Sequence, residues 1–422
     1  MYGLELRRII EYCRSHKNIY CYGAGLYGKI VCAFLYLNDI CIDGFLISCL
    51  ETEDSMVLNK KVMSIDETLI KGDGAGVLIC VNNKVRQELI NKLVALRWDD
   101  YLEIDDELIN EMDNCIDYEK VAGLNRNNRV LLYHRVFNLQ NDIWRLAVSP
   151  EEFERQIVYL KKHYDIVPLD ELEFGGHDNQ IAITFDDGYI DNYIYALPII
   201  EKYQVPVTIF VATGNIGTEC EFWWDEIEGL ISNTEDNKEI HLEDYVLTLN
   251  GFENKKRACY LVREKILTLD YKQRRKFISA LKEELRVEGE SRAQNRTVDA
   301  DELRQLDRSN WVTIGGHTVT HTRLTSQTEA EQRWEIFESK RILEKIIGHQ
   351  IFCFSYPFGG VDDYDETTIE LALEAGYKNI IAVGQRYKLG TQAKYCVPRI
   401  VVQNTGEDHR KGHPMMKSLF IG

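Results

Sequence analysis

From residue 129 onward, short apolar runs alternate with longer stretches of helical period. The runs at 130–133, 181–185, 207–212, 312–314, 351–356, 380–383 and 400–402 are β-branched, aromatic and bounded by turn formers, so they predict buried strands. Helical spacing recurs at 150–163, 192–203, 329–347 and 366–375. Such alternation implies parallel strands, and in a barrel of this kind the functional groups gather at the strand C-terminal ends. The alternation stops between about 220 and 295, where charged helical stretches at 255–268 and 271–286 predict an insertion opened by Phe222, Trp223, Trp224 and Asp225.

The first 120 residues carry a different pattern. Residues 19–28 read as strand, Gly-rich turn and helix start, with Gly23, Gly25 and Gly28 in G-x-G-x-x-G spacing. Asp43 lies 20 residues after the first glycine, at the expected end of a second strand. In a dinucleotide-type turn the helix N-terminus receives phosphates and such an acid takes a ribose hydroxyl. Strands at 77–81 and 101–104 around a helix at 84–97 complete a small Rossmann-like parallel sheet over residues 1–120. No second half of a dehydrogenase follows, so hydride transfer is not expected. The unit is expected either to bind a nucleotide or nucleotide-sugar or to serve a structural or docking role. A polar linker at 121–128 leads into the barrel unit, 129–422.

Candidate chemistry sits at the predicted strand ends. Asp186 and Asp187 close the run 181–185, and His317 and His321 follow 312–314 after two glycines. One carboxylate and two imidazoles make a three-ligand set for a divalent ion, zinc foremost, with positions left for water and substrate. Each half alone also fits a turn pair or a solvated face, and it is the conjunction that points to a metal site. His134 ends the run 130–133, and the Pro357-Phe358-Gly359 turn ends 351–356.

At these residues the chain resembles the polysaccharide deacetylase family. Thr184-Phe185-Asp186-Asp187-Gly188 is similar to its first motif, His317-Thr318-Val319-Thr320-His321 to its second, and Ser355-Tyr356-Pro357-Phe358-Gly359 in part to its third. The resemblance covers about 130–402 and implies a distorted barrel of seven strands in which Asp187, His317 and His321 hold the metal and Asp186 is the general base. The chemistry is consistent with that division, since a metal-activated water must lose its proton to a carboxylate that is free of the metal. An oxyanion donor is needed as well, for which the backbone N–H at Phe358 is the natural choice. Two departures stand out. The family's histidine near the end of the domain is absent from 395–401, and His134, similarly placed to the acid of deacetylases acting on poly-N-acetylglucosamine, is the replacement. The family's Arg two residues before the motif proline is Ser355 here, and Arg399 is the candidate to hold Asp186 ionised instead, a surface ion pair being the alternative. The Phe222–Trp224 aromatics are expected to pack the insertion against the barrel, with stacking on a sugar face as the alternative.

Composition bounds the rest. A length of 422 residues at 45% hydrophobic content suffices for two cores, and a net charge of −18 argues against a nucleic-acid partner. No apolar run approaches membrane-spanning length, and the first residues lack a signal-peptide core. Eleven cysteines without C-x-x-C spacing read as reduced thiols, so a cytoplasmic enzyme is expected. Its substrate would be an N-acetylated sugar or oligosaccharide, nucleotide-linked or lipid-linked. Two other classes compete: a catalytically silent sugar-binding protein of the same fold, and a nucleotide-binding scaffold.

Overall fold

The structure is a computed structural model that describes residues 2–48, 56–65, 75–121, 124, 127–173, 178–242, 245–287, 289, 291–383, 397–404 and 419. The chain forms two compact units, one over residues 1–127 and one over Asn128–Asn404. Should His134 not supply the acid, the sequence offers the tail residues His409 and His413, which lie outside the described residues, as does half of the expected linker.

The first unit is a sheet with helices. Its elements are α1 (Leu4–Ser15), β1 (Asn18–Tyr22), α2 (Leu26–Tyr36), β2 (Gly44–Ile47), β3 (Met56–Val57), β4 (Lys60–Ser64), β5 (Ala75–Ile79), α3 (Asn83–Ala95), β6 (Tyr101–Glu103), α4 (Asp106–Cys115) and α5 (Tyr118–Val121). The strand order is β3-β4-β2-β1-β5-β6, parallel except for β3. Leu6, Ile9, Ile10 and Cys13 form the buried stripe of α1, the i, i+3, i+4, i+7 spacing of one helix face. The turn between β1 and α2 demands its glycines. Gly23 has φ +118°, and a Cβ on Gly28 would stand 1.9 Å from the Gly23 carbonyl oxygen.

Asp43 corrects the expectation placed on it. Pairing of β2 with β1 starts at Gly44, opposite Tyr20, so Asp43 stands at the N-terminal end of β2. The glycine turn follows the C-terminal end of the parallel neighbour β1, at the opposite edge of the sheet. The Asp43 carboxylate is already occupied, accepting from the Ile19 amide at 2.7 Å and from Asn18 Nδ2 at 3.0 Å. It ties the starts of two strands together and does not face a ribose at the turn.

The second unit runs β7 (Arg129–Tyr133), β8 (Arg135–Val136), β9 (Ala147–Val148), α6 (Pro150–His163), β10 (Asp165–Ile166), β11 (Gln180–Phe185), α7 (Leu197–Tyr203) and β12 (Val207–Val211). After the insertion come α11 (Ala300–Arg308), β15 (Val312–Gly316), α12 (Glu329–Ile347), β16 (Cys353–Ser355), α13 (Glu366–Glu374), β17 (Asn379–Ile381) and β18 (Arg399–Val401). All pairings along β17-β16-β15-β12-β11-β7-β18 are parallel. A parallel bridge between Ile381 and Val397 joins the two ends, so the sheet is a nearly closed barrel of seven strands. The helices explain their own limits. Ser149 caps α6 with Pro150 in its first turn, and Thr328 with Glu331 forms a capping box on α12, which stops at Gly348 with φ +87°.

The insertion holds α8 (Trp223–Ser232), β13 (Lys238–Leu242), β14 (Tyr245–Leu249), α9 (Gly251–Ile266) and α10 (Tyr271–Leu285). The antiparallel β13–β14 pair was not expected from the sequence, whose charged composition there suggests helix. The insertion has its own core, in which Phe222, Trp223 and Trp224 join Ile227, Val262 and Leu281. Packing is thus one use of those aromatics, as expected.

Candidate active site

Strand register assembles the mouth. Phe185 pairs with Tyr133 and Ile209, and Val211 pairs with Gly316. The residues that follow, His134, Asp186, Asp187 and His317, therefore emerge side by side at the C-terminal end of the barrel. The Asp186 amide donates to the Tyr133 carbonyl at 3.0 Å, and the His317 amide to that of Val211 at 3.2 Å.

The backbone there is strained. Asp187 has φ +75°, Thr318 +63°, His321 +49° and Phe358 +62°, all in the left-handed region that non-glycine residues avoid. At two of them the turn is a three-residue one: the Gly188 amide donates to the Asp186 carbonyl at 3.0 Å, and the Gly359 amide to the Pro357 carbonyl at 2.7 Å. A γ-turn with a positive φ at its centre is the rarer, strained hand. Strain of this kind persists where surrounding contacts over-determine it, commonly at functional sites.

Asp187, His317 and His321 offer ligand atoms that all lie within 4.8 Å of one another. Asp187 Oδ1 is 3.2 Å from His321 Nε2 and 3.6 Å from His317 Nε2, and is buried with no hydrogen-bond partner among the described residues. His317 Nδ1 lies 2.8 Å from the Ser355 carbonyl, which only accepts, so the proton is on Nδ1 and the Nε2 lone pair faces the cluster. Burial lowers the pKa of His317 and takes that of His321 down to about 3, so both rings are neutral. Burial likewise raises the Asp187 pKa. One carboxylate oxygen and two neutral imidazoles brought together in a buried pocket make a donor set that fits a divalent ion.

Asp186 is held differently. Arg399 Nη1 donates to its Oδ1 at 2.7 Å and Nη2 to its Oδ2 at 2.6 Å, a bidentate pair inside the barrel. The Ser355 hydroxyl accepts from Arg399 at 2.8 Å and donates to Asp186 at 3.2 Å. Arg399 also reaches the Ala382 carbonyl and Thr184 Oγ1. Burial alone would raise the Asp186 pKa, but the Arg399 charge, aided by His317, holds its carboxyl well below the usual carboxylate range. Both residues are nearly inaccessible, so the surface-pair alternative for Arg399 does not describe it.

His134 lines the same cavity of about 350 Å³ as Asp186, Asp187, His317, His321 and Phe358. Burial lowers its pKa, opposed by the charges of Asp187 and Asp186. The Phe358 ring packs on His321 at 4.8 Å, and its amide has no hydrogen-bond partner among the described residues. Trp223 and Trp224 also border the cavity, with the Trp224 ring 4.5 Å from His321, so the aromatics serve cleft and core together.

Several supporting residues were not read from the sequence. The Glu335 carboxylate accepts from the Val319 and Thr320 amides and the Thr320 hydroxyl, while Arg274 donates to the Thr320 and His321 carbonyls. One grips the second-motif loop by its amides and the other by its carbonyls. Their trace was legible in principle: Arg274 shares a helix face with Ile278, Leu281 and Leu285, and Glu335 with Ile336, Ser339 and Leu343. A charge on an apolar stripe marks a buried partner. Trp144, Tyr260 and Arg263, which complete the cavity wall, left no such trace.

A carboxylate–imidazole cluster thus stands beside a guanidinium-clamped carboxylate at the C-terminal mouth of a parallel barrel. Residues 175–380, within the barrel unit, match the family model described as polysaccharide deacetylase. The chain is 20% identical over 280 residues to YxkH of Bacillus subtilis (strain 168), assigned by name to the polysaccharide deacetylases, over 65% of this chain and 70% of that protein. It is 34% identical over 114 residues to the poly-beta-1,6-N-acetyl-D-glucosamine N-deacetylase of Staphylococcus aureus (strain MSSA476), which is 25% of this chain and 37% of that enzyme. Among solved structures, IcaB from Ammonifex degensii aligns with TM-score 0.43 at 17% identity, over 70% of this chain and 98% of that one. Among the described residues no helix is long and apolar enough to cross a membrane.

Proposed function

We propose that the barrel unit is a metal-dependent de-N-acetylase acting on an N-acetylated sugar. The observation that carries this reading is the division of labour between adjacent carboxylates: Asp186 is clamped by Arg399 and kept ionised, while Asp187 faces two neutral imidazoles with an unpartnered oxygen. Asp187, His317 and His321 would hold the ion. A divalent cation there, zinc foremost, supplies Lewis acidity and lowers the pKa of the attacking water. Asp186 takes that water's proton, and Arg399 fixes its orientation and charge. The amide N–H of Phe358, set by its strained turn, donates to the developing oxyanion. Burial favours the neutral His134 ring, so the proton that Asp186 took from the water passes to His134 within the cavity they share and from there to the leaving amine, which departs poorly without it.

The cytoplasmic placement we propose rests on the unpaired thiols, which suit a reducing compartment, and favours a saccharide or glycan precursor as substrate. For the N-terminal unit, only the backbone of the Gly23–Gly28 turn supports a nucleotide or nucleotide-sugar, since Asp43 is engaged elsewhere.

Exchanging each aspartate in turn tests the assignment. Asp186→Asn should keep the metal and lose acetate release from N-acetylglucosamine oligomers, and Asp187→Asn should lose both. Equal metal loss in the two variants would refute the division.

A further inference from the structure

The cavity wall contributed by the insertion has a chemistry that the proposed hydrolysis does not use. Arg263, on α9, borders the cavity with its guanidinium 5.4 Å from the centre of the Phe358 ring, the ring on which His321 also packs. Its one ion pair among the described residues is to its chain neighbour Glu264, which is 63% exposed, and exposed pairs of this kind bind weakly. Beside it the buried Trp144 indole N–H has no hydrogen-bond partner among the described residues. Tyr260, whose ring meets that of Trp144 edge-on, is committed to the Ile143 carbonyl at 2.7 Å.

The charge balance of the cavity makes Arg263 conspicuous. Asp186 is matched by Arg399, and Asp187 is set aside for a cation, so the acids that border the cavity are spoken for. Arg263, paired only with the exposed Glu264 among the described residues, therefore adds positive charge to a cleft that already tends to positive once a divalent ion is held. In a chain of net charge −18, such a local excess is not background. One aromatic ring, about the breadth of a pyranose, separates Arg263 from the ligand histidine.

Resting on the de-N-acetylase reading, we propose that the substrate is an N-acetylated sugar carrying an anionic group, read by Arg263 with the Trp144 N–H as a second donor. Phosphate and carboxylate share the chemistry that a guanidinium recognises, so either a phosphate-linked sugar or an acidic sugar would meet it.

The test is calorimetric binding of N-acetylglucosamine 1-phosphate, N-acetylmuramic acid and N-acetylglucosamine to the full chain, with acetate release followed in parallel. One or both anionic sugars should bind more tightly than the neutral one, and whichever leads identifies the phosphate or the carboxylate source. In Arg263→Gln the ratio of anionic to neutral affinity should fall about ten- to a hundredfold, the scale of one charge-assisted hydrogen bond. Arg263→Lys should restore part of it and guards against a folding defect in the first variant. Equal affinity for neutral and anionic sugars, or a ratio that Arg263→Gln leaves unmoved, overturns the proposal. Acetate release without any anionic preference removes only the anion reading. An Arg263-dependent preference without acetate release keeps the anion site and removes the de-N-acetylase.

Discussion

Both units carry loops that follow the C-terminal ends of parallel strands, and the two units use the residues of those loops in opposite ways. The turn after β1 meets its positive φ with Gly23 and brings backbone close to backbone at Gly28, while Asp43, the one acid its spacing promised, binds the far end of the sheet. The loops after β11, β15 and β16 place Asp187, His321 and Phe358 at positive φ, positions where glycine would cost less. There Asp187 Oδ1 and His321 Nδ1 are buried without a hydrogen-bond partner among the described residues. Spacing makes a loop eligible for function, but unsatisfied side chains held at a conformational cost are a better sign of it.

The contrast can be broken most directly by comparing His317→Ala with Gly28→Ala. The first should lose most of the metal, by elemental analysis, and all acetate release; the second should disturb its own turn and leave the barrel's metal content at the wild-type level. Metal loss in Gly28→Ala would show that the units are not independent in this respect.

The next largest effect is expected at His134. His134→Ala should retain the ion and lower turnover by about two to four powers of ten, the usual scale of acid–base catalysis. Near-normal turnover would make it a structural residue of the mouth.

Arg399→Gln sharpens the comparison through pH. The guanidinium is what outweighs burial at Asp186, so without it the Asp186 pKa should rise. The acidic limb of the pH–rate profile should therefore move toward neutral pH. A buried carboxylate left unpaired should also cost about 3–5 kcal/mol at neutral pH in chemical denaturation. That deficit should shrink on acidification, because protonation removes the unpaired charge. An unmoved limb would show that Asp186 does not depend on Arg399.

The smallest effect is expected at Asp43. Asp43→Ala should lower stability by about 1 kcal/mol or slightly more through two lost hydrogen bonds, and should leave any nucleotide binding at the glycine turn unchanged. Lost nucleotide binding in that variant would return Asp43 to the role its spacing suggested.

Much of the barrel was legible because buried parallel strands advertise themselves: every run from 130–133 to 400–402 overlaps one. The mouth residues were legible because they directly follow those runs. Arg399 was reachable only by elimination, from the Ser355 that stands where an arginine was expected. The hairpin β13–β14 was hidden because its two strands pair only with each other and lie in a helix-rich context. Asp43 failed for another reason, since sequence spacing counts residues and does not say which end of a strand they reach. Glu335 and Arg274 act through contacts 15 and 46 residues away in the chain, which no local pattern displays.

The Arg399–Asp186 pair has a temporal side. Its guanidinium is synthesised 213 residues after its carboxylate and arrives with β18, the strand that completes the path through β7. Until then the acid has the Ser355 hydroxyl but no guanidinium inside a closing barrel. A ribosome-bound or truncated chain ending before Arg399 would thus contain every residue of the three motifs and still have no working base. If Asp186 is the base proposed above, catalysis would wait for the last strand, and the finished barrel would be its own licence to act.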